Sequence, residues 1–127
     1  MNKQIISTES APAAIGPYSQ AVKVGDVVYL SGQIPLDPKT MQIVDGGFAE
    51  QAKQVLNNLG AVAQASGGSL NDVVKLTVYV TDLADFAQLN DIMADVLTQP
   101  YPARAAVQVA ALPKGALVEI DAVLSLA

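Results

Sequence analysis

Hydrophobic residues recur along the chain with two periods, and the change between them predicts where strands give way to helices. Segment 18–24 alternates weakly between apolar and polar residues, and Val24-Gly25-Asp26-Val27 predicts a hairpin turn into a strand over 27–31. From Phe48 apolar residues follow at offsets 4, 7, 8, 11, 14 and 15, a helical stripe that ends at Gly67-Gly68. The first half therefore predicts two strands, an irregular loop and one long helix.

The second half alternates strand and helix in the same way. Segment 73–81 predicts a strand with four apolar side chains on one face, Val74, Leu76, Val78 and Val80. Asp82 is a natural N-cap for a second helix, which Pro100 and Pro102 end. Two closing strands are predicted over 105–110 and 117–126. Because strands outnumber the two long helices, we expect an α+β fold, one sheet with both helices packed on one face.

Composition narrows the class of protein. A chain of 127 residues has the size of a single domain, 1–127, and contains neither Cys nor His, which excludes thiol, Cys-zinc and Ser-His-Asp chemistry. A net charge of −5 disfavours nucleic acid and anionic membranes as partners. Only 15% of the residues are charged and 51% are hydrophobic, which favours self-association. Since no signal peptide or membrane-spanning stretch is evident, we expect a cytoplasmic protein.

Arg104 is the only arginine and the first candidate for chemistry. It follows Tyr101-Pro102-Ala103 at the start of a predicted strand, on the same face as Ala106 and Gln108. A guanidinium can bind a carboxylate through two parallel hydrogen bonds, which a lysine ammonium cannot do. An ordinary surface ion pair is the alternative interpretation.

Glu119 is the second candidate, because it interrupts a run of residues that otherwise looks buried. Val118 and Ile120 point to one face of the predicted strand, whereas Glu119 and Asp121 point to the other. A carboxyl group among apolar neighbours has a raised pKa, which suits a general base or acid. A solvated outer face explains the pattern equally well.

Two weaker candidates complete the set. Asn90 shares the apolar face of its predicted helix with Phe86, so its amide needs partners, and tying a loop to the helix would satisfy it. Ser31-Gly32 ends a predicted strand, where a missing side chain lets a ligand approach backbone amides.

Five blocks of sequence together resemble the Rid family, also called the YjgF family. They occur in the family's order along nearly the whole chain: Ala14-Ile15-Gly16-Pro17-Tyr18-Ser19-Gln20-Ala21, Ser31-Gly32-Gln33-Ile34-Pro35, the helix with Phe86 and Asn90, Pro102-Ala103-Arg104, and Leu112-Pro113-Lys114-Gly115-Ala116-Leu117-Val118-Glu119-Ile120.

The resemblance implies a chorismate-mutase-like protomer and a homotrimer with sites in the clefts between subunits. It implies hydrolysis of 2-imino acids or their enamine tautomers (2-iminobutanoate, 2-iminopropanoate) to 2-keto acids and ammonia, without a cofactor or metal. Pyridoxal-phosphate enzymes release these imines. Arg104 would bind the substrate carboxylate and Glu119 would activate water. The remaining residues implied to line the cleft are Tyr18, Ser31, Gly32, Asn90 and Ala106.

Three departures from the family pattern bear on the substrate. Ala105 and Ala106 replace the Ser or Thr and the Cys that follow the arginine in many imine deaminases, the second helix carries Met93 and Leu97 instead of aromatics, and the stretch before Pro102 is shorter. These changes predict a roomier or more apolar cleft. Two other functions compete with the deaminase, namely a non-catalytic module that binds small carboxylates such as keto acids and an endoribonuclease, which the negative charge disfavours most.

Overall fold

The structure is a computed structural model that describes residues 2–127, so Met1, the first residue of the predicted domain, lies outside the described range. Within that range the chain forms two helices, α1 (Phe48–Ala65) and α2 (Phe86–Val96). It also forms six strands, which are β1 (Gln4–Ile6), β2 (Ala21–Val24), β3 (Val27–Gln33), β4 (Val73–Val80), β5 (Ala103–Gln108) and β6 (Val118–Ser125).

The strands make one mixed sheet in the order β1-β2-β3-β6-β4-β5. Only β4 and β5 are parallel, and α2 lies in the connection between them, as a crossover between parallel strands requires. The other neighbouring pairs are antiparallel. The predicted α+β class, with one mixed sheet and two helices, is confirmed.

The two faces of the sheet have different surroundings. On β6, Val118 and Ile120 are fully buried in the core that α1 and α2 complete, whereas Glu119 and Asp121 alternate to the other side. Within residues 2–127 no helix packs on that other side. We call it the open face, and it carries Val22, Tyr29, Thr77, Tyr79, Val107, Glu119, Asp121 and Val123.

Local details differ from the sequence-based expectation at four points. Strand β5, Ala103–Gln108, begins and ends two residues earlier than the predicted strand over 105–110. The pairing of β4 with β6 shifts register between Val73 and Lys75, so Val73 is buried and Val74 is 48% exposed, off the face predicted for it. Asp82 caps a short 3₁₀ turn, Leu83–Asp85, ahead of α2. Strand β1 was not predicted, because three residues are too few to show a period.

Among the described residues, no helix combines the length and the apolar character needed to cross a bilayer.

Candidate functional site

Arg104 lies on the helix side of β5, where α2 contacts its side chain. Its Nη1 donates a hydrogen bond to Oδ1 of Asn90 at 2.6 Å, and its guanidinium carbon lies 4.9 Å from the centre of the Phe86 ring. Met93 Sδ is 3.6 Å from the same nitrogen. These three residues of α2 recur at helical spacing, so one side of the helix orients the only arginine of the chain.

Asn90 differs from its expected environment. It was predicted to lie on a buried apolar face, yet its side chain is exposed in the described chain. Its amide oxygen accepts from Arg104 and does not tie a loop to the helix. Asn90 therefore lies at the edge of the predicted apolar stripe of α2, and the partner that its amide requires is Arg104 on β5.

A groove of about 450 Å³ runs beside Arg104, between α2 and the start of β5. Arg104 and Asn90 form its polar corner, and the rest of its lining is mostly apolar: Leu76, Met93, Ala94, Leu97, Tyr101 and Pro102. Ala106, two residues beyond Arg104 on the same strand face, is half-buried against the core. The arrangement combines one cation with an apolar surface, which suits a small carboxylate with a short aliphatic chain.

Glu119 lies on the open face, with its carboxyl group against the backbone of Gly32. A Cβ at residue 32 would lie 3.1 Å from Cδ of Glu119, and closer still to one carboxylate oxygen. Gly32 itself lies where the pairing of β3 with β6 is irregular, between Leu30 and Gln33. Only a residue without a side chain leaves this space to the Glu119 carboxyl.

The segment that contains Tyr18 is bonded to the same end of β3. The Ser31 hydroxyl donates to the carbonyl of Ser19 at 2.6 Å, and the Ser31 amide donates to the carbonyl of Gln20 at 3.0 Å. Tyr18 is 51% exposed beside this junction. The structure therefore places Tyr18, Ser31 and Gly32 in one region with Glu119.

The described chain keeps the two candidate groups apart. Arg104 is paired in register with Leu76, a core residue, whereas Glu119 is paired with Tyr79 of the open face. Strands β5 and β6 are two positions apart in the sheet, about 10 Å. Arg104 therefore lies on the helix side of the sheet and Glu119 on the open face, so one copy of residues 2–127 does not bring them together.

Asp121 and Tyr79 form a hydrogen-bonded pair beside Glu119, and sequence reasoning missed Tyr79. The Tyr79 hydroxyl donates to Oδ2 of Asp121 at 3.0 Å. Burial raises the pKa of the Glu119 carboxyl, and the negative charge of Asp121 raises it further. The hydrogen bond to Asp121 is the main cause that raises the pKa of the Tyr79 hydroxyl. The pairing of β4 with β6, which brings Tyr79 here, was not readable from sequence.

The side chains of this region do not form a metal site. Glu119 and Asp121 form a pair of carboxylates, and the sequence has no His or Cys to add to them. Across residues 2–127, no group of three such ligands lies close enough to hold a metal ion. The chemistry available at this site is that of a guanidinium, carboxyl groups, hydroxyls and backbone amides.

Comparison with known proteins supplies the family. The model of the family described as endoribonuclease L-PSP matches residues 8–125. The 2-iminobutanoate/2-iminopropanoate deaminase of Bos taurus is 53% identical over 121 residues, 95% of this chain and 88% of the bovine protein.

Two solved structures extend the likeness to the fold. The crystal structure of RidA from the Antarctic bacterium Psychrobacter superposes with a TM-score of 0.93 at 60% identity, covering 96% of this chain and 98% of that one. That of E. coli TdcF with bound serine has a TM-score of 0.90 at 43% identity, covering 98% and 99%. With a match that spans nearly the whole sequence and half of its residues identical, the chain belongs to the endoribonuclease L-PSP family, which is the Rid (YjgF) family.

Proposed function

We propose that this protein hydrolyses 2-imino acids, such as 2-iminobutanoate and 2-iminopropanoate, to 2-keto acids and ammonia. The relatives named for this activity are about half identical over nearly the whole chain. The structural observation that carries the proposal is the orientation of Arg104 by Asn90 and Phe86 beside a largely apolar groove. An imino acid has the matching parts, a carboxylate and a short aliphatic side chain.

Arg104 binds the substrate carboxylate in this mechanism. Its Nη1 is already occupied by Asn90, so the guanidinium has a fixed orientation before substrate arrives. The remaining N–H groups are free to form charge-assisted hydrogen bonds with the carboxylate. Because the ordering of the side chain is complete in advance, less binding energy is lost on substrate association. C2 of the protonated imine, the carbon that water attacks, is then held at a defined position in the cleft.

Glu119 accepts a proton from the attacking water. The water oxygen bonds to C2 of the protonated imine while its proton passes to the Glu119 carboxylate. Glu119 then returns its proton to the nitrogen of the resulting carbinolamine. As the C–N bond breaks and ammonia departs, the hydroxyl proton of the carbinolamine passes to the Glu119 carboxylate and leaves the 2-keto acid; ammonia takes that proton from Glu119 and is released as ammonium. The raised pKa of Glu119 suits this role, since a stronger base takes a proton from water more readily. Tyr18, Ser31 and the backbone at Gly32 line this part of the cleft.

The complete site requires a second copy of the chain. Arg104 and Glu119 lie on opposite faces of one sheet. Each site therefore combines the Arg104 of one protomer with the partner subunit's Glu119. The open face carries exposed apolar side chains, including Tyr29 at 55% and Val107 at 46%. A low charged fraction favours the same association. We infer a homotrimer, with Ala106, Asn90 and Arg104 from one subunit in each cleft.

The reaction needs no cofactor, since an imine is already electrophilic. Its substrates are unstable products of pyridoxal-phosphate enzymes that act on amino acids, which places this protein downstream of such an enzyme in the cytoplasm. The net charge of −5 disfavours the endoribonuclease activity in the family's description, because RNA binding requires phosphate neutralisation.

A coupled assay tests the proposal. A threonine dehydratase generates 2-iminobutanoate in the presence of the purified protein, and the decay of the imine is followed against its spontaneous hydrolysis. We expect faster decay in proportion to protein concentration, and none of that acceleration with Arg104→Ala. Equal decay with and without the protein, together with tight binding of 2-oxobutanoate, would instead establish the carboxylate-binding module.

A further inference from the structure

Tyr79 and Asp121 form a hydrogen-bonded pair beside Glu119 that the reaction described above does not use. The two residues come from different strands, β4 and β6, and meet on the open face of the sheet. Tyr79 is directly opposite Glu119 in the strand register, yet its hydroxyl reaches diagonally to Oδ2 of Asp121 at 3.0 Å. The Asp121 carboxylate is therefore restrained on the side of the strand where Glu119 lies.

Glu119 and Asp121 are two residues apart on one strand, so their side chains project from the same face as neighbours. Gly32 leaves room for the Glu119 carboxyl on the other side. A fixed negative charge on one side and a close backbone on the other define the surroundings of Glu119. Burial is the larger cause that raises its pKa, and the Asp121 charge adds to it.

Few other charged or titratable groups face Glu119. On β4 the facing group is Tyr79 itself, and on β3 the nearest position is Gly32. Lys75 and Tyr29 lie further along, both in register with Val123. In the proposed trimer the partner subunit's Arg104 enters the same cleft, and its positive charge favours ionised Glu119. Asp121 is the described group whose charge opposes that effect.

We propose that Asp121, held by the Tyr79 hydroxyl, is a positioning residue that keeps Glu119 a competent proton acceptor beside the arginine of the cleft. The inference rests on the proposed function, in which Glu119 takes a proton from water. Without the Asp121 charge, an ionised Glu119 would be stabilised by the guanidinium alone and would be a weaker base. Tyr79 contributes by preventing Asp121 from turning into solvent.

Two near-isosteric variants separate charge from restraint. Asp121→Asn keeps an oxygen that can accept from Tyr79 but removes the negative charge. Tyr79→Phe removes the hydrogen bond and keeps the charge. Tyr29→Phe is the matched control, because it removes a tyrosine hydroxyl that has no assigned role from the same face and keeps the exposed ring that the proposed association uses.

The experiment measures kcat for imine hydrolysis as a function of pH and, separately, the titration of a ¹³C-labelled Glu119 carboxyl by NMR. We expect Asp121→Asn to move the acidic limb of the kcat–pH profile and the midpoint of the Glu119 NMR titration to lower pH. The same variant should also reduce kcat on the plateau of the profile. Tyr79→Phe should move both in the same direction by less, and Tyr29→Phe should move neither.

The two readouts distinguish failure of this inference from failure of the proposed function. A Glu119 midpoint that is the same in wild type and Asp121→Asn overturns the role of Asp121, whatever the turnover. A midpoint in Tyr79→Phe that matches the Tyr29→Phe control overturns the role of Tyr79. Wild-type protein that does not hydrolyse imines refutes the deaminase proposal, whereas the NMR titration still decides whether Asp121 controls Glu119.

Discussion

The carboxyl group of Glu119 lies against the backbone of Gly32, where a Cβ would come 3.1 Å from Glu119 Cδ. This close approach links two sequence segments that are 87 positions apart along the chain. It makes the conformation of a candidate general base depend on the absence of a side chain on the neighbouring strand. A substitution at residue 32 is therefore expected to reduce turnover more than it reduces the stability of the fold.

Gly32→Ala should lower turnover at least 10-fold while the protein stays folded. The added methyl group meets the flexible end of Glu119, which can move aside at small cost, but the carboxyl then leaves its position. Gly47→Ala is the control, because a Cβ at Gly47 has nothing within 4 Å. Thermal unfolding and imine hydrolysis are measured on both variants. Unchanged turnover in Gly32→Ala would show that the position of Glu119 against Gly32 is not required.

Arg104→Lys should reduce kcat/KM about 10- to 100-fold, because a lysine ammonium cannot make the paired hydrogen bonds worth about 1.5–3 kcal/mol to a charged group. The charge is kept, so the fold and the assembly should persist. Steady-state kinetics and calorimetric binding of 2-oxobutanoate check the result. Near-wild-type values would contradict bidentate binding of the carboxylate.

Asn90→Asp should weaken 2-oxobutanoate binding more than Asn90→Ala does. A carboxylate 2.6 Å from the guanidinium would pair with Arg104 and compete with the ligand, whereas alanine only releases the arginine side chain. Asn57→Asp adds the same charge at an exposed position on α1 that does not line the groove, and it serves as the control. Equal affinities for the two Asn90 variants would argue against Arg104 as the ligand's partner.

Glu119→Gln should separate catalysis from binding. The amide keeps the size of the side chain but does not accept the water's proton, so turnover should fall by about 10²–10⁴-fold while keto-acid affinity is retained. Both quantities are measured on one preparation, with spontaneous hydrolysis subtracted. If turnover persists, Glu119 is a structural carboxylate. If binding is lost too, its role is to organise the cleft.

Tyr79→Phe should lose stability relative to wild type at pH 8, and the difference should shrink in alkaline solution. The folded pKa of Tyr79 is raised above 10.0, chiefly by its hydrogen bond to Asp121, so its contribution is complete below pH 10.0 and is lost as pH rises through the folded pKa. Urea unfolding at pH 8 and pH 11 measures the free energies, with Tyr29→Phe as reference. A pH-independent difference would contradict the assignment.

The amino-acid sequence by itself determined both helices, five of the six strands and the fold class. Local sequence patterns were enough for this: the long helical stripe from Phe48, the hairpin at Gly25-Asp26 and the alternation on β6. Each pattern depends only on residues that are close together in the chain. The family could also be identified from short blocks, and the comparisons confirmed it. Where a local pattern was misleading, at Val74, a bulge in the pairing with β6 changed the phase.

Tertiary structure decided which of the candidate residues meet. Alternation along β5 and β6 shows which neighbours share a strand face with Arg104 and which share one with Glu119. Only the strand order and register show that these two faces are opposite sides of one sheet. Likewise, Asn90 contacts Arg104, and Tyr79 contacts Asp121, across 14 and 42 residues of sequence. Such contacts depend on packing and register between distant segments, and no local periodicity encodes them.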